Sequence, residues 1–293
     1  MTDSIQPSDY LVTGKKKIRL DDFPTKTAEF YEKKSDYKHQ LGEMKDKIND
    51  LQRMMYADGK YSMLLIFQAM DAAGKDGTIR AVMSGVNAHG IAVHAFTRPS
   101  TRELEHDFLW RTTLRLPSRG HIGIFNRSYY EEVLVARVHP AILEKQNLPE
   151  ALLKDRNKLW KGRFESICDH EKHLDRNGTR VAKFFLHLSY DEQRDRFLQR
   201  IDKPHKNWKF EDGDIRERRH WPEFQEAYEE TINATASPGS PWYIVPADDK
   251  KNMRLIVARI ILEELRSLDM SYPDVSEERR RELKEDRKLL END

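Results

Sequence analysis

The chain has 293 residues, of which 34% are charged and 38% hydrophobic, with a net charge of +1. That length carries one large α/β domain or two small ones, and the balanced charge argues against a general nucleic-acid binder, whose footprint is a strong basic excess. The single cysteine, Cys168, excludes an intrachain disulfide and a cysteine-based metal site. The start, MTDSIQPSDYLVTGKKK, has no apolar core of signal-peptide length, and no apolar run approaches the roughly 18 residues of a membrane span. A cytoplasmic protein without membrane or nucleic-acid partners is expected.

Residues 1–35 are polar, with a basic run at Lys15-Lys16-Lys17, and read as an extended or weakly ordered lead-in. Tyr37, Leu41, Met44, Ile48, Leu51 and Met55 then recur at steps of 4-3-4-3-4, the spacing of an amphipathic helix. Such a stripe either lies on its own domain or forms a dimer seam. The apolar run Tyr61–Phe67 predicts a buried strand, and Lys75–Val86 a helix. A second strand is predicted over Ile91–Phe96, followed by a turn at Arg98-Pro99-Ser100 and a helix over Leu104–Leu116, stopped by Pro117. Strands at His121–Phe125 and Val181–Leu188 are separated by predicted helices over 129–137 and 149–175. A short strand at Trp242–Val245 and a helix over Met253–Leu268, with Leu255, Ala258, Leu262 and Leu265 at helical spacing, complete the alternation. Strands alternating with helices imply crossovers and a five-stranded parallel sheet covered on both faces. The tail SEERRRELKEDRKLLEND mixes both signs at helical spacing and reads as a solvated helix. Three units follow: an extension with the amphipathic helix over 1–56, an α/β domain over 57–268, and a polar tail over 269–293.

Between the first strand and its helix lies FQAMDAAGKDGTI, residues 67–79, a near-match to Gly-x-x-x-x-Gly-Lys-[Ser/Thr]. Gly74-Lys75 is in place, but Ala69 replaces the first Gly and Asp76 the hydroxyl residue. A loop leaving a buried strand for a helix offers backbone N–H groups and the positive helix end to phosphate oxygens, and Lys75 adds a point charge. Ala73, Gly74, Gly77 and Thr78 belong to the same cradle. Asp76 keeps an oxygen for magnesium or its water shell. A carboxylate at Asp71, inside an anion-binding loop, holds magnesium or orients an acceptor phosphate, or else only stabilises a turn.

A second cluster, HIGIFNRSYYEEVLVARVHP at 121–140, ends an apolar strand in Asn126-Arg127. Residues 111–139 hold five Arg against Glu131 and Glu132. Arg127 stands at the carboxyl edge where open α/β sheets bind ligands, and Arg137 follows it. A third cluster, DEQRDRFLQRIDKPHKNWKF at 191–210, puts Arg196 and Arg200 four apart on one helix face, with Lys206 and Lys209 beyond Pro204. It suits an exposed helical lid over a polyanion, at about 190–220, or else a basic surface hairpin. Three basic clusters around one loop exceed what one nucleoside triphosphate requires, which hints at a longer polyanionic donor.

These motifs, with HDFLWR at 106–111 and PWYIVPADDK at 241–250, resemble the polyphosphate kinase 2 family over roughly residues 55–268. The resemblance implies a three-layer phosphate-loop kinase fold like that of thymidylate kinase. It also implies reversible phosphoryl transfer between inorganic polyphosphate and a nucleotide, with Mg²⁺ or Mn²⁺, in a homodimer or homotetramer. Under it Lys75 and Arg127 bind the transferring phosphates, Asp71 orients or deprotonates the acceptor phosphate, and Asp71 and Asp76 hold metal. Arg137, Arg196, Arg200, Lys206 and Lys209 meet polyphosphate, and Asn87, Arg98, Asp107 and Arg111 meet an adenine nucleotide, with guanine nucleotides possible. Asn126, where many members have Asp, resembles the branch that accepts AMP as well as ADP. The alternatives are an ATP-dependent nucleoside monophosphate kinase and a non-catalytic polyphosphate- or nucleotide-binding regulator.

Overall fold

The computed structural model describes residues 4–292. Its centre is a six-stranded sheet of β1 (Leu11–Val12), β2 (Ser62–Gln68), β3 (Ile91–Ala95), β4 (Ile122–Asn126), β5 (Thr179–His187) and β6 (Trp242–Pro246). The strand order is β1-β6-β5-β2-β4-β3. The five strands expected from the sequence are all present and mutually parallel. The count is corrected to six by β1, which pairs antiparallel with β6 through Leu11–Tyr243 and Val12–Trp242. Two residues are too few to show a period, so this edge strand left no trace in the pattern.

Helices cover both faces, giving three layers. Helices Lys34–Asp58, Lys75–Met83 and Lys250–Arg266 pack on one side around Met44, Ile48, Met55, Val82, Leu255 and Ile261. On the other, Arg156–Arg176 and Trp221–Thr235 pack around Phe125, Tyr129, Ile167, Phe185 and Trp242. The stripe of Lys34–Asp58 is therefore buried against its own domain and is not a free seam. Gly90 is needed where that helix passes, because a Cβ there would lie 1.6 Å from the Gln52 amide nitrogen.

Several predicted helices are shorter than expected. Leu104–Leu116 resolves into Thr101–Leu104 and Trp110–Thr113, the first closed by a capping box between Ser100 and Glu103. Segment 129–137 is a 3₁₀ turn, Tyr129–Glu132, followed by one helical turn, Val135–Val138. The tail forms helix Glu277–Glu291 with no buried residue. Among the described residues, no helix is long and apolar enough to cross a membrane.

One polar network lies inside the core. Lys183, at the centre of β5 and fully buried, donates to Glu171 at 2.5 Å and to the Thr235 carbonyl at 2.8 Å. Glu171 also accepts from the hydroxyls of Tyr129 and Tyr130, at 2.9 and 2.7 Å. A buried ion pair persists only when its remaining hydrogen-bonding capacity is met, as it is here. The network anchors the turn that carries Arg127 and Glu131 to the sheet edge.

Candidate active site

The site forms at the carboxyl ends of β2 and β4, neighbours in the centre of the sheet. All seven residues of β2 are buried, so the chain leaves it rigidly at Gln68 and turns through 69–74 into helix Lys75–Met83. Two residues in that turn have left-handed backbones, Ala72 at φ 63° and Gly74 at φ 104°. The second position favours glycine, since a side chain there is strained whatever space surrounds it. The turn directs Lys75 inward, where its ammonium donates to the Ala69 carbonyl at 2.8 Å. Burial, and then the neighbouring charge of Arg127, push the Lys75 pKa down to about 8, while Asp71, Glu131 and Asp76 oppose the shift.

Arg127 follows β4 directly, with φ 63°, and its N–H donates to the Phe67 carbonyl. A non-glycine residue held in this region signals a constrained site. Its guanidinium meets Asp71 at 2.8 Å and Glu131 at 3.2 Å, and Glu131 followed by Asp71 raises its pKa. Asn126 donates to Asp76 at 2.5 Å. The loop acid Asp71, the strand-end Arg127, Lys75, Asp76 and Asn126 thus converge, although up to 56 positions separate them in the chain.

Beside this cluster opens a cavity of ≈ 780 Å³, large enough for a nucleotide. Phe96, Leu104, Val135 and Ile142 supply an apolar wall, Asp71, Arg98, Arg111 and Arg127 line it, and residues 211–218 form the opposite side. Those residues belong to the hairpin of helix Tyr190–Asp202, 3₁₀ helix Pro204–Lys209 and helix Asp212–Arg218. Arg111 is buried, donates to the Thr97 carbonyl at 2.8 Å and faces Glu132 at 3.8 Å.

Other expected site residues lie apart from this cluster or are held by protein partners. Asn87 precedes the amino end of β3, at the opposite sheet edge, where it bonds Asn49 and His89. Asp107 lines an adjoining ≈ 590 Å³ cavity, which shares Pro99, Leu104, Arg111 and Glu132 with the first, and accepts from the Leu109 N–H. Arg137 pairs with Glu230. The Thr78 hydroxyl is buried against the Met253 sulfur, 3.8 Å away. Arg200 holds the Lys209 carbonyl and Asp214, and Lys209 lies over Trp208. Arg196 corrects the expectation of an exposed lid residue: it is 4% exposed and bonded to the loop from beneath.

Two residues were missed. Lys250 and Arg254 lie one turn apart at the start of helix Lys250–Arg266, close to the start of helix Lys75–Met83. Burial, followed by the charge of Arg196, brings the Lys250 pKa to about 8, with Lys206 and Arg254 adding to the effect. Arg254 reaches Gly77, where a Cβ would lie 3.4 Å from its Nη2. The signal was present: cations four apart, just after a strand, at the ligand-binding edge.

Among the described residues, no three His, Cys, Asp or Glu side chains are grouped to hold a metal by themselves. The donor set nevertheless suits a divalent cation that keeps its waters and binds through one or two carboxylates plus substrate phosphates. Asp71 and Asp76, both close enough to act on the Lys75 charge, fit that role.

A mostly parallel three-layer sheet, with a strand–loop–helix cradle and a basic carboxyl edge, defines a phosphate-loop phosphotransferase. The profile of the family polyphosphate kinase 2 (PPK2) matches residues 31–273, and the chain belongs to that family. It is 52% identical over 286 residues to the ADP-polyphosphate phosphotransferase of Rhodopseudomonas palustris, covering 98% of this chain and 99% of that one. It is 41% identical to the AMP/ADP-polyphosphate phosphotransferase of Meiothermus ruber, covering 85% and 89%. The crystal structure of polyphosphate kinase 2 from Arthrobacter aurescens superposes with a TM-score of 0.82 at 32% identity, over 92% of this chain and 93% of that chain.

Proposed function

We infer that the chain transfers a phosphoryl group from inorganic polyphosphate to ADP and to AMP, reversibly, in the cytoplasm. The observation that carries this is the pair of cationic banks beside one loop. Arg127 lines the nucleotide-sized cavity with Lys75 close to it, while Arg196, Arg254 and Lys206 gather around Lys250. A nucleoside triphosphate needs one such bank; a chain of phosphates threading past the loop needs both. The names of the relatives from R. palustris and M. ruber agree with this substrate pair.

In the transfer, an oxygen of the acceptor's terminal phosphate attacks the end phosphorus of the chain. The bond from that phosphorus to its bridging oxygen breaks, leaving polyphosphate one unit shorter. Such reactions depend on positioning and charge neutralisation. Lys75 and the free N–H groups at the start of helix Lys75–Met83 hold the transferring phosphoryl group. Arg127, aimed by Asp71 and Glu131, bridges donor and acceptor phosphates. The apolar wall at Phe96 and Val135 takes the nucleoside, with Arg98 and Arg111 toward its phosphates. Mg²⁺ bound through Asp71 and Asp76 would neutralise charge on the phosphate oxygens. The neutral amide of Asn126 leaves room for the doubly charged monoester of AMP.

Purified protein with long-chain polyphosphate, Mg²⁺ and, in parallel, AMP, ADP, GMP and GDP tests the assignment. Formation of ADP from AMP and ATP from ADP is expected. Transfer to AMP from ATP but not from polyphosphate would mark a nucleoside monophosphate kinase, and binding without turnover a regulator.

A further inference from the structure

The guanidinium of an arginine has five N–H donors, and Arg196 spends all five on protein acceptors. Nη1 donates to the carbonyls of Ala72 at 3.0 Å and Ala73 at 2.6 Å. Nη2 donates to those of Ala247 at 2.6 Å and Asp248 at 3.1 Å. Nε donates to Glu192 at 2.7 Å. No donor remains for a ligand, and the side chain is 4% exposed.

We propose that Arg196 is a positioning residue, a clamp that ties the phosphate loop to the end of β6 and so fixes the direction of the loop's N–H groups. In a trans peptide the C=O and N–H point opposite ways. Drawing the Ala73 carbonyl down to Arg196 turns the Gly74 N–H away from it, up to where phosphate binds. Drawing down the Ala72 carbonyl keeps a second oxygen out of the anion's path. The loop needs this hold because Ala72, a non-glycine residue, has a left-handed backbone, and such a conformation persists only when the surroundings over-determine it. The clamp is itself well mounted. Ser189 caps the helix by accepting from the Glu192 N–H. Asp248 accepts from the Ser189 N–H at 2.8 Å and from the Thr25 hydroxyl at 2.8 Å.

Lysine cannot replace such a clamp, since one ammonium group does not span two pairs of carbonyls and a carboxylate in a plane. The assay rests on the polyphosphate-dependent activity inferred above, whereas amide exchange does not, so the two can fail separately. On the full chain, R196K is expected to lower kcat about 10²-fold, the scale of a misplacement of about 1 Å, equally with long and short polyphosphate and with KM for polyphosphate changing far less. Hydrogen exchange of the 70–77 amides should quicken in the folded variant while β2 and β5 keep their protection. In R196A, millimolar guanidinium ion should restore part of the lost kcat. Near-normal kcat in R196K, a loss confined to KM for long polyphosphate, or unchanged loop exchange would each overturn the proposal. If R196A does not fold, R196K decides; unfolding of R196K too would overturn a role confined to the loop. Absence of wild-type turnover would reject the functional assignment and leave the exchange comparison to judge the clamp.

Discussion

Replacing Lys75 with methionine separates what the ammonium does for catalysis from what it costs the fold. The side chain is buried, and its pKa of about 8 lies below the ordinary lysine value of 10.5. At 1.36 kcal/mol per pH unit, the native fold holds this proton about 3 kcal/mol less tightly than the unfolded chain does. Below pH 8 that strain is fully present. Between about 8 and 10.5 the native state has shed a proton that the unfolded state retains, so stability rises with pH through this window. Methionine keeps most of the volume without the charge but leaves the Ala69 carbonyl without its 2.8 Å partner, a loss of about 1–3 kcal/mol. At neutral pH the two effects nearly offset, and Lys75→Met should change unfolding free energy by no more than about 2 kcal/mol. Denaturant titrations at several pH values should show wild type gaining up to about 3 kcal/mol on the variant from pH 8 to 10.5. Meanwhile kcat/KM for ATP formation should fall about 10²-fold or more, as for other charges aimed at a transferring group in a water-poor site. A folded variant with near-normal turnover, or a stability difference flat across that window, would refute this account of Lys75.

Asn126→Asp places a carboxylate where an amide now donates to Asp76 at 2.5 Å. Two carboxylates so close demand a proton or a cation between them. The kcat/KM ratio of AMP to ADP should fall and the dependence on magnesium steepen, both read from initial rates; an unchanged ratio puts acceptor choice elsewhere. Chelating divalent metal should abolish transfer, with recovery on adding back Mg²⁺, because Asp71 and Asp76 alone bring no positive charge to the phosphates. Arg200→Ala, which frees the Lys209 carbonyl and Asp214, should raise KM for polyphosphate several-fold while changing stability by about 1 kcal/mol or less. Equal losses in thermal stability and activity would make Arg200 structural.

The elements that reach the site were legible because their signals are local. An apolar run, a glycine with a left-handed backbone and a lysine define the β2 loop, and the Asn126-Arg127 strand end is as plain. What stayed hidden depends on distant partners. Arg196 looked like an exposed cation on a basic helix, but four of its acceptors are backbone carbonyls, which leave no mark in side-chain sequence. Lys183 is tolerated mid-strand because Glu171 and the Thr235 carbonyl meet it. Asn87, close in sequence to a strand of the site, is at the strand's wrong end. Lys250 and Arg254 have a visible spacing, but two cations at a helix start stand out little beside the denser basic runs of 111–139 and 191–210.

The most direct test follows the donor. With ADP as acceptor, Mg²⁺ present and no other nucleotide, ³¹P NMR should show the γ signal of ATP growing as polyphosphate loses terminal groups one for one. The same protein given ATP and AMP without polyphosphate should not show that rate of transfer. Growth of ADP from ATP and AMP, with polyphosphate left intact in the first mixture, would contradict a polyphosphate-dependent phosphotransferase.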